Sequence, residues 1–258
     1  MRIEWCSGFP QSSFHYPKMP HTLFISDLHL SADHPNSTAA FKCFIASLAP
    51  HAEALYILGD LFEYWAGDDD RHDPFHAQVI NALHGLAAQS IRIYLMHGNR
   101  DLLMGDTLAQ AAGATLLEDP TLLDLYGTPT LLSHGDKLCT DDVEYQKFRA
   151  HVHAAEFQKN FLAQPLAARK VYIEQLRRQS TTAKQGKDSA IMDVNDDAVA
   201  ELLREYRYPR LIHGHTHRPN RHEHIVDGHR CERLVLSDWD QESSVLRCDA
   251  DGCRSVSF

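Results

Sequence analysis

Apolar residues arrive along the first hundred positions in short bursts, each closed by a glycine or by an acidic, amide or imidazole side chain. Thr22-Leu23-Phe24-Ile25 ends at Ser26-Asp27, Ala54 to Leu58 ends at Gly59-Asp60, and Ile91 to Leu95 runs into His97-Gly98-Asn99-Arg100-Asp101. The first two runs, short and almost wholly apolar, predict strands covered on both faces, and the third predicts a further strand. Between them, Phe41, Phe44, Ile45 and Leu48 fall on one helical face, and Ser37 or Thr38 can cap that helix, which runs to about Ala49. Pro74 can open a second helix to about Gln89. A short helix near Asp106 to Ala112 follows, then strands around Thr115 to Leu117, Thr121 to Leu125 and Thr130 to Leu132, the last delivering His134-Gly135-Asp136. This strand, helix, strand rhythm predicts an α/β domain with parallel strands, in which ligands gather beyond the carboxyl ends of the strands.

The pattern changes at Asp141. Tyr145, Phe148 and Val152, then Phe157, Phe161 and Leu162, recur at helical spacing, and Pro165 breaks the run or opens a further helix carrying Leu166, Ile173 and Leu176. Residues 141–190 therefore read as a helical lid inserted into a domain spanning 21–258, with a polar loop at Ser180 to Asp188. Lys159, Arg169, Lys170, Arg177 and Arg178 give the lid a basic side. A helix from about Asn195 to Tyr206 returns the chain to the core, and Arg210 to Ile212 is a strand presenting Leu211 to Pro219, LIHGHTHRP. Runs at His224 to Val226, Leu234 to Leu236, Val245 to Arg247 and Arg254 to Val256 predict antiparallel strands. Residues 1–20 form an irregular extension without the apolar core of an export signal.

Composition narrows the picture in three ways. A formal charge of −10 opposes general nucleic-acid binding, which needs clustered Lys and Arg. Six cysteines with no CxxC pair predict neither a thiolate metal site nor a disulfide framework. No run of eighteen apolar residues occurs, so no bilayer-spanning segment is expected.

The chemistry lies where the bursts end. Asp27 and His29 are two apart and can share one ion; Asp60 follows a glycine and can offer an oxygen to each of two ions. Asn99, His134, His215 and His217 complete two neighbouring sets of the oxygen and imidazole donors that divalent ions take. Two ions about 4 Å apart can hold a phosphoryl group and lower the pKa of an attacking water. A lone Asp-Leu-His is weak; five such pieces in order, each after a predicted strand, carry the inference. His213 lies nearer its strand and reads as a buried support.

In these pieces the chain resembles the calcineurin-like metallophosphoesterases, and within them the UDP-2,3-diacylglucosamine pyrophosphohydrolase family of the Gram-negative lipid A pathway. The specific stretches are YILGDLFEYWAGDD, HGNRD, HGDKLCTDD, AIMDVN and LIHGHTHRP. The resemblance implies a four-layer α/β fold of two packed sheets flanked by helices, and two Mn2+ ions. One would be held by Asp27, His29, Asp60 and His217, the other by Asp60, Asn99, His134 and His215. Asp60, Asn99, Arg100, His134 and His215 would carry catalysis, and Asn99, Arg100, Asp142, Ser180, Lys184, Lys187 and His215 would contact substrate. Lys184 stands where relatives have asparagine and brings a charge instead.

Arg100 departs from the wider superfamily, where histidine is usual. Its permanently charged fork suits a phosphate clamp, and a sugar-phosphate leaving group needs little protonation. The implied reaction is hydrolysis of UDP-2,3-diacylglucosamine on the cytoplasmic side of the inner membrane. Attachment there would be peripheral, to anionic headgroups, with no nucleic acid and no obligate protein partner. The alternatives are a broad-specificity phosphodiesterase or nucleotide phosphatase, and a metal-binding scaffold without turnover.

Overall fold

The computed structural model describes residues 20–184, 193–239 and 243–258, with side chains up to 178 in the first span. Residues 1–19, nearly all of the expected N-terminal extension, and Lys187 lie outside the described residues, as do the side chains of Ser180 and Lys184. The parallel core forms as the apolar bursts predict. Strands β1 (Thr22–Ile25), β2 (Ala54–Leu58), β3 (Arg92–Met96) and β4 (Ala114–Leu117) pair in parallel, with α1 (Pro35–Ser47), α2 (Pro74–Ala87) and α3 (Asp106–Ala112) as crossovers. Pro35 starts α1 two residues before the expected Ser37, because its fixed φ suits the first helical turn; Thr38 instead turns its hydroxyl back to the His34 carbonyl.

The second sheet holds β5 (Thr121–Leu125), β6 (Thr128–Ser133), β7 (Arg210–His213), β8 (Asn220–Val226) and β9 (His229–Val235), in the order β5-β6-β7-β9-β8. β6, β7 and β9 run parallel, so the expected antiparallel C-terminal arrangement holds for the β8–β9 hairpin but not for β9 against β7. β10 (Ser244–Asp249) and β11 (Gly252–Ser257) cross back to the first sheet, where β10 lies antiparallel to β1. Contrary to expectation, Cys248 and Cys253 form a disulfide across this last hairpin. A spacing of five hides a directly paired position that only the cross-strand register brings together.

Period-two alternation sorts the strands into layers. Leu23, Ile25, Leu55, Ile57, Ile93 and Leu95 pack on Phe41, Phe44, Val79, Leu83 and Leu108 of the helices. The opposite faces, with Phe24, Leu58 and Met96, meet Leu132, Ile212 and Leu234 of the second sheet. There Phe24, Tyr56 and Tyr94 stack across three strands, with ring centroids 5.0 and 4.5 Å apart. Leu131 and Leu211 face outward onto Val199, Leu202 and Leu203 of α7 (Asp196–Glu205), completing four layers. Asn195 caps α7 through its side-chain oxygen, which accepts from the Ala198 N–H.

The lid is three helices: α4 (Val143–His153), α5 (Ala155–Leu162) and α6 (Leu166–Lys184). α6 continues four residues past Ser180, where a loop was expected. No helix among the described residues is long and apolar enough to cross a membrane.

Candidate metal centre

The carboxyl ends of β1, β2 and β3 in one sheet, and of β6 and β7 in the other, open at the same edge of the sandwich. The loops leaving them turn at once. The Leu28 and His29 N–H groups both donate to the Asp60 carbonyl, at 2.9 and 3.0 Å, locking the first two loops together. Glycine permits the remaining approaches. A Cβ at Gly98 would overlap the carboxylate and nitrogen of Asp60, and one at Gly214 would overlap Ser26 and the Asp27 carboxylate.

Two sets of donors result. His29 Nε2 lies 3.3 Å from His217 Nε2 and 3.9 Å from Asp60 Oδ2, while His217 Nε2 is 3.5 Å from Asp27 Oδ1. On the other side, His134 Nε2 is 3.3 Å from Asn99 Oδ1 and 4.0 Å from Asp60 Oδ1. The two oxygens of Asp60 thus face different sets. Among the described residues, the ligand atoms of Asp27, His29 and His217, and those of Asp27, Asp60 and His134, form groups spanning under 4.8 Å. His215 contributes differently: its N–H donates to Asp27 Oδ2 at 2.8 Å, and its ring lies 5.0 Å from His134 and stacks on Tyr145 at 5.7 Å.

These donors fit divalent cations. Asp27 is buried, and its Oδ1 has no hydrogen-bond partner although it points into the first set. The outer nitrogens of three imidazoles are engaged: His29 Nδ1 lies 3.2 Å from Glu63, His217 Nδ1 3.0 Å from Asp238, and His134 Nδ1 2.9 Å from the Leu58 carbonyl. A proton on each of those nitrogens leaves Nε2 with a lone pair facing inward, the tautomer that ligates metal.

The electrostatics agree. Burial opposes charge on His134, but Asp60, Asp27 and Asp136 overcome it and hold the ring up at about 9. Burial likewise opposes charge on His217, yet Asp238 and Asp27 push it up to about 10. Burial is outweighed at Asp27 too, where His217, His134 and His29 hold the carboxyl far below its usual range. Carboxylates that pull a proton onto these rings pull a cation to the same place.

Three acids around the centre were not singled out from the sequence. Asp101 accepts from the backbone N–H groups of Asp60, Leu61, Phe62 and Gly98, tying the second ligand loop to the third; burial, with Asp60 beside it, raises its carboxyl to about 6. Asp136 accepts from Tyr145 Oη at 2.8 Å and Arg149 Nε at 2.7 Å, fastening α4 to the His134 loop. Burial opposes charge on Glu63, but His29, Arg100 and Arg177 bring its carboxyl down to about 2. Asp101 and Asp136 carried a sequence signal, their places in His-Gly-Asn-Arg-Asp and His-Gly-Asp; the loops of Glu63 and Asp238 have no period to read. His213 is buried against Arg233, and burial together with that cation lowers it to about 4, in keeping with a support. Asp142 caps α4, its Oδ1 accepting from the Tyr145 N–H.

Above the centre the lid encloses a groove of about 350 Å3. Asn99, Arg100 and Glu63 stand at its polar end, and Phe148, Val152, Phe157, Phe161 and Leu176 line the rest. The expected basic face of the lid largely turns inward. Arg169 bonds to Asp69 and the Ala66 carbonyl, Lys170 lies 2.6 Å from Asp70, and Arg177 lies 2.8 Å from Glu63.

A family model for calcineurin-like phosphoesterases matches residues 20–219. A UDP-2,3-diacylglucosamine hydrolase of Aromatoleum aromaticum is 54% identical over 89% of this chain and 94% of its own length. Those of Hahella chejuensis and Cellvibrio japonicus are 50% and 49% identical, each over 90% of this chain and over 94% and 96% of their own lengths.

Proposed function

The chain belongs to the calcineurin-like phosphoesterases and, within them, to the family of the UDP-2,3-diacylglucosamine hydrolases; from that premise we propose that it hydrolyses UDP-2,3-diacylglucosamine at the α-phosphorus, releasing UMP and 2,3-diacylglucosamine 1-phosphate (lipid X). The observation that carries this reading is the junction at Asn99 and Arg100, where an apolar groove ends against paired sets of metal donors.

When bound, two divalent ions, here proposed as Mn2+, supply Lewis acidity to phosphoryl oxygens and lower the pKa of an attacking water. Asp27, His29, Asp60 and His217 would hold one, and Asp60, Asn99, His134 and His215 the other. Arg100 lines the groove and can clamp the diphosphate through its planar fork. No residue need protonate the leaving group, whose phosphate is already a weak base. The groove shields both acyl chains from water, each buried methylene contributing about 0.8 kcal/mol.

The same reading puts the enzyme peripherally on the cytoplasmic side of the inner membrane. Because the lid cations turn inward, contact with anionic headgroups falls less to them than expected. What supports attachment is that Val143, Phe148, Leu162, Val171 and Tyr172 on the lid helices are 38–56% exposed. Ser180, Lys184 and Lys187 remain proposed substrate contacts by position.

The test is UMP release by the manganese-loaded protein from the diacylated substrate in detergent, with a short-acyl analogue beside it. Phe157→Ala and Phe161→Ala are expected to raise KM for the diacylated substrate about tenfold or more, and less for the analogue, since each ring removes roughly 2 kcal/mol of apolar contact. Ready cleavage of simple nucleotides with no UMP from the lipid would favour the broad-specificity phosphodiesterase instead.

A further inference from the structure

Glu63 is held by its backbone beside the first ligand loop. Phe62 bridges to Leu30, and the Glu63 N–H donates to the Leu30 carbonyl at 3.1 Å. Its side chain, only 10% exposed, divides its two oxygens between two tasks. Oε2 lies 3.2 Å from Nδ1 of His29. Oε1 accepts from Arg177 Nε at 3.0 Å, lies 2.8 Å from Arg177 Nη2, and is 3.6 Å from Arg100 Nη1.

Arg177 comes from α6 and Arg100 from the loop after β3, and both line the groove at its polar end. Side by side, two guanidinium groups repel. One carboxylate between them relieves that repulsion and leaves a net single positive charge facing the groove, suited to a diphosphate. A residue that merely latched the lid would have no reason to reach a metal-ligating imidazole with its other oxygen.

We propose that Glu63 is a positioning residue that ties His29 to the Arg100–Arg177 pair, so that holding the first ion and seating the substrate diphosphate are coupled through one carboxylate. The proposal rests on the function given above and adds to it a residue outside both sets of metal donors.

The test uses Glu63→Gln in the full chain, which keeps length and shape and removes the charge. Manganese binding to the metal-stripped protein is measured by calorimetry, and KM for the diacylated substrate at saturating manganese. The expected result is a manganese Kd raised about 10- to 100-fold, as for other outer partners of metal-bound histidines, together with a KM raised about tenfold, the worth of one charge-assisted hydrogen bond. A lowered unfolding midpoint with either constant at its wild-type value overturns the proposal and leaves Glu63 a structural latch.

Should that variant fail to fold, Arg177→Gln replaces it. Among the described residues Arg177 meets Glu63 and the Tyr64 ring, so a changed manganese Kd supports the coupling and an unchanged one overturns it. The calorimetric arm needs no substrate. Failure of the unaltered enzyme to release UMP would therefore defeat the functional reading without deciding the link between Glu63 and His29.

Discussion

Asp27, His29, Asp60, His215 and His217 all sit at φ between 48° and 68°, a region that side chains with a Cβ visit rarely. Each such residue costs roughly 1–3 kcal/mol unless its surroundings enforce it. Here the enforcement is visible: the Asp60 carbonyl takes two N–H groups from the first loop, and Asp101 takes four from the second and third. The bends of the site are thus enforced by its own backbone network, and the glycines that let the loops touch are as necessary as the donors. Gly98→Ala removes no donor, yet its Cβ would displace the Asp60 carboxylate. We expect it to lower kcat/KM about a hundredfold or more, since a misplacement of about 1 Å costs that much, with manganese-dependent turnover as the measure. At this scale the sequence was informative for a simple reason. A donor that ends an apolar burst must sit at a strand end, so Asp27, Asp60, Asn99 and His134 could be read directly, and Gly-Asp, Gly-Asn and Gly-His marked the close approaches. Glu63 and Asp238 could not be read, because nothing in a loop sequence says which imidazole its side chain will meet.

Helix α6 shows what periodicity conveys and what it omits. The spacing of Leu166, Ile173 and Leu176 predicted a helix, but a basic side read from sequence looks solvated, whereas Arg169 is only 2% exposed. The difference lies in the loop beneath, where Asp69, Asp70 and Asp73 provide partners for Arg169 and Lys170. The lid is fastened by charge as well as by its aromatic face. Arg169→Ala strips the Ala66 carbonyl of its buried donor, and we expect a loss of about 1–3 kcal/mol, read as a lower urea midpoint. Beneath the same loop, His76 of α2 is packed among Phe62, Tyr64 and Trp65 near Asp70. Burial lowers its affinity for a proton below the ordinary 6.5, outweighing Asp70 and Asp73, with Lys170 adding to the lowering. The unfolded chain then binds the proton that the folded chain refuses, so this contribution to stability is complete above about pH 7 and declines as pH falls through 6.5. Urea midpoints measured from pH 8 to pH 5 should fall less steeply in His76→Gln than in the unaltered protein.

At the scale of the whole molecule, the donors are divided between the two sheets. Asp27, His29, Asp60 and Asn99 leave the first, and His134, His215 and His217 leave the second. The apolar contact between the sheets sets their spacing, but at the open edge the loops bring the buried carboxylates of Asp27 and Asp60 together, against imidazoles and the backbone N–H groups of His215 and Arg100. Bound ions would therefore act as staples across the sandwich. They favour the folded chain by RT ln(1 + [L]/Kd), about 2.7 kcal/mol at a hundredfold excess over Kd. Stripping the protein with a chelator should lower its thermal midpoint and abolish turnover together, and returning manganese should restore both. For a chain of this size, a change of that magnitude corresponds to roughly 5–11 °C. A midpoint indifferent to the chelator, with turnover lost, would mean that the ions serve the reaction alone and that Asp101 and the loop carbonyls suffice to hold the sheets in register. Midpoint and turnover both unmoved would remove the metal centre from the account.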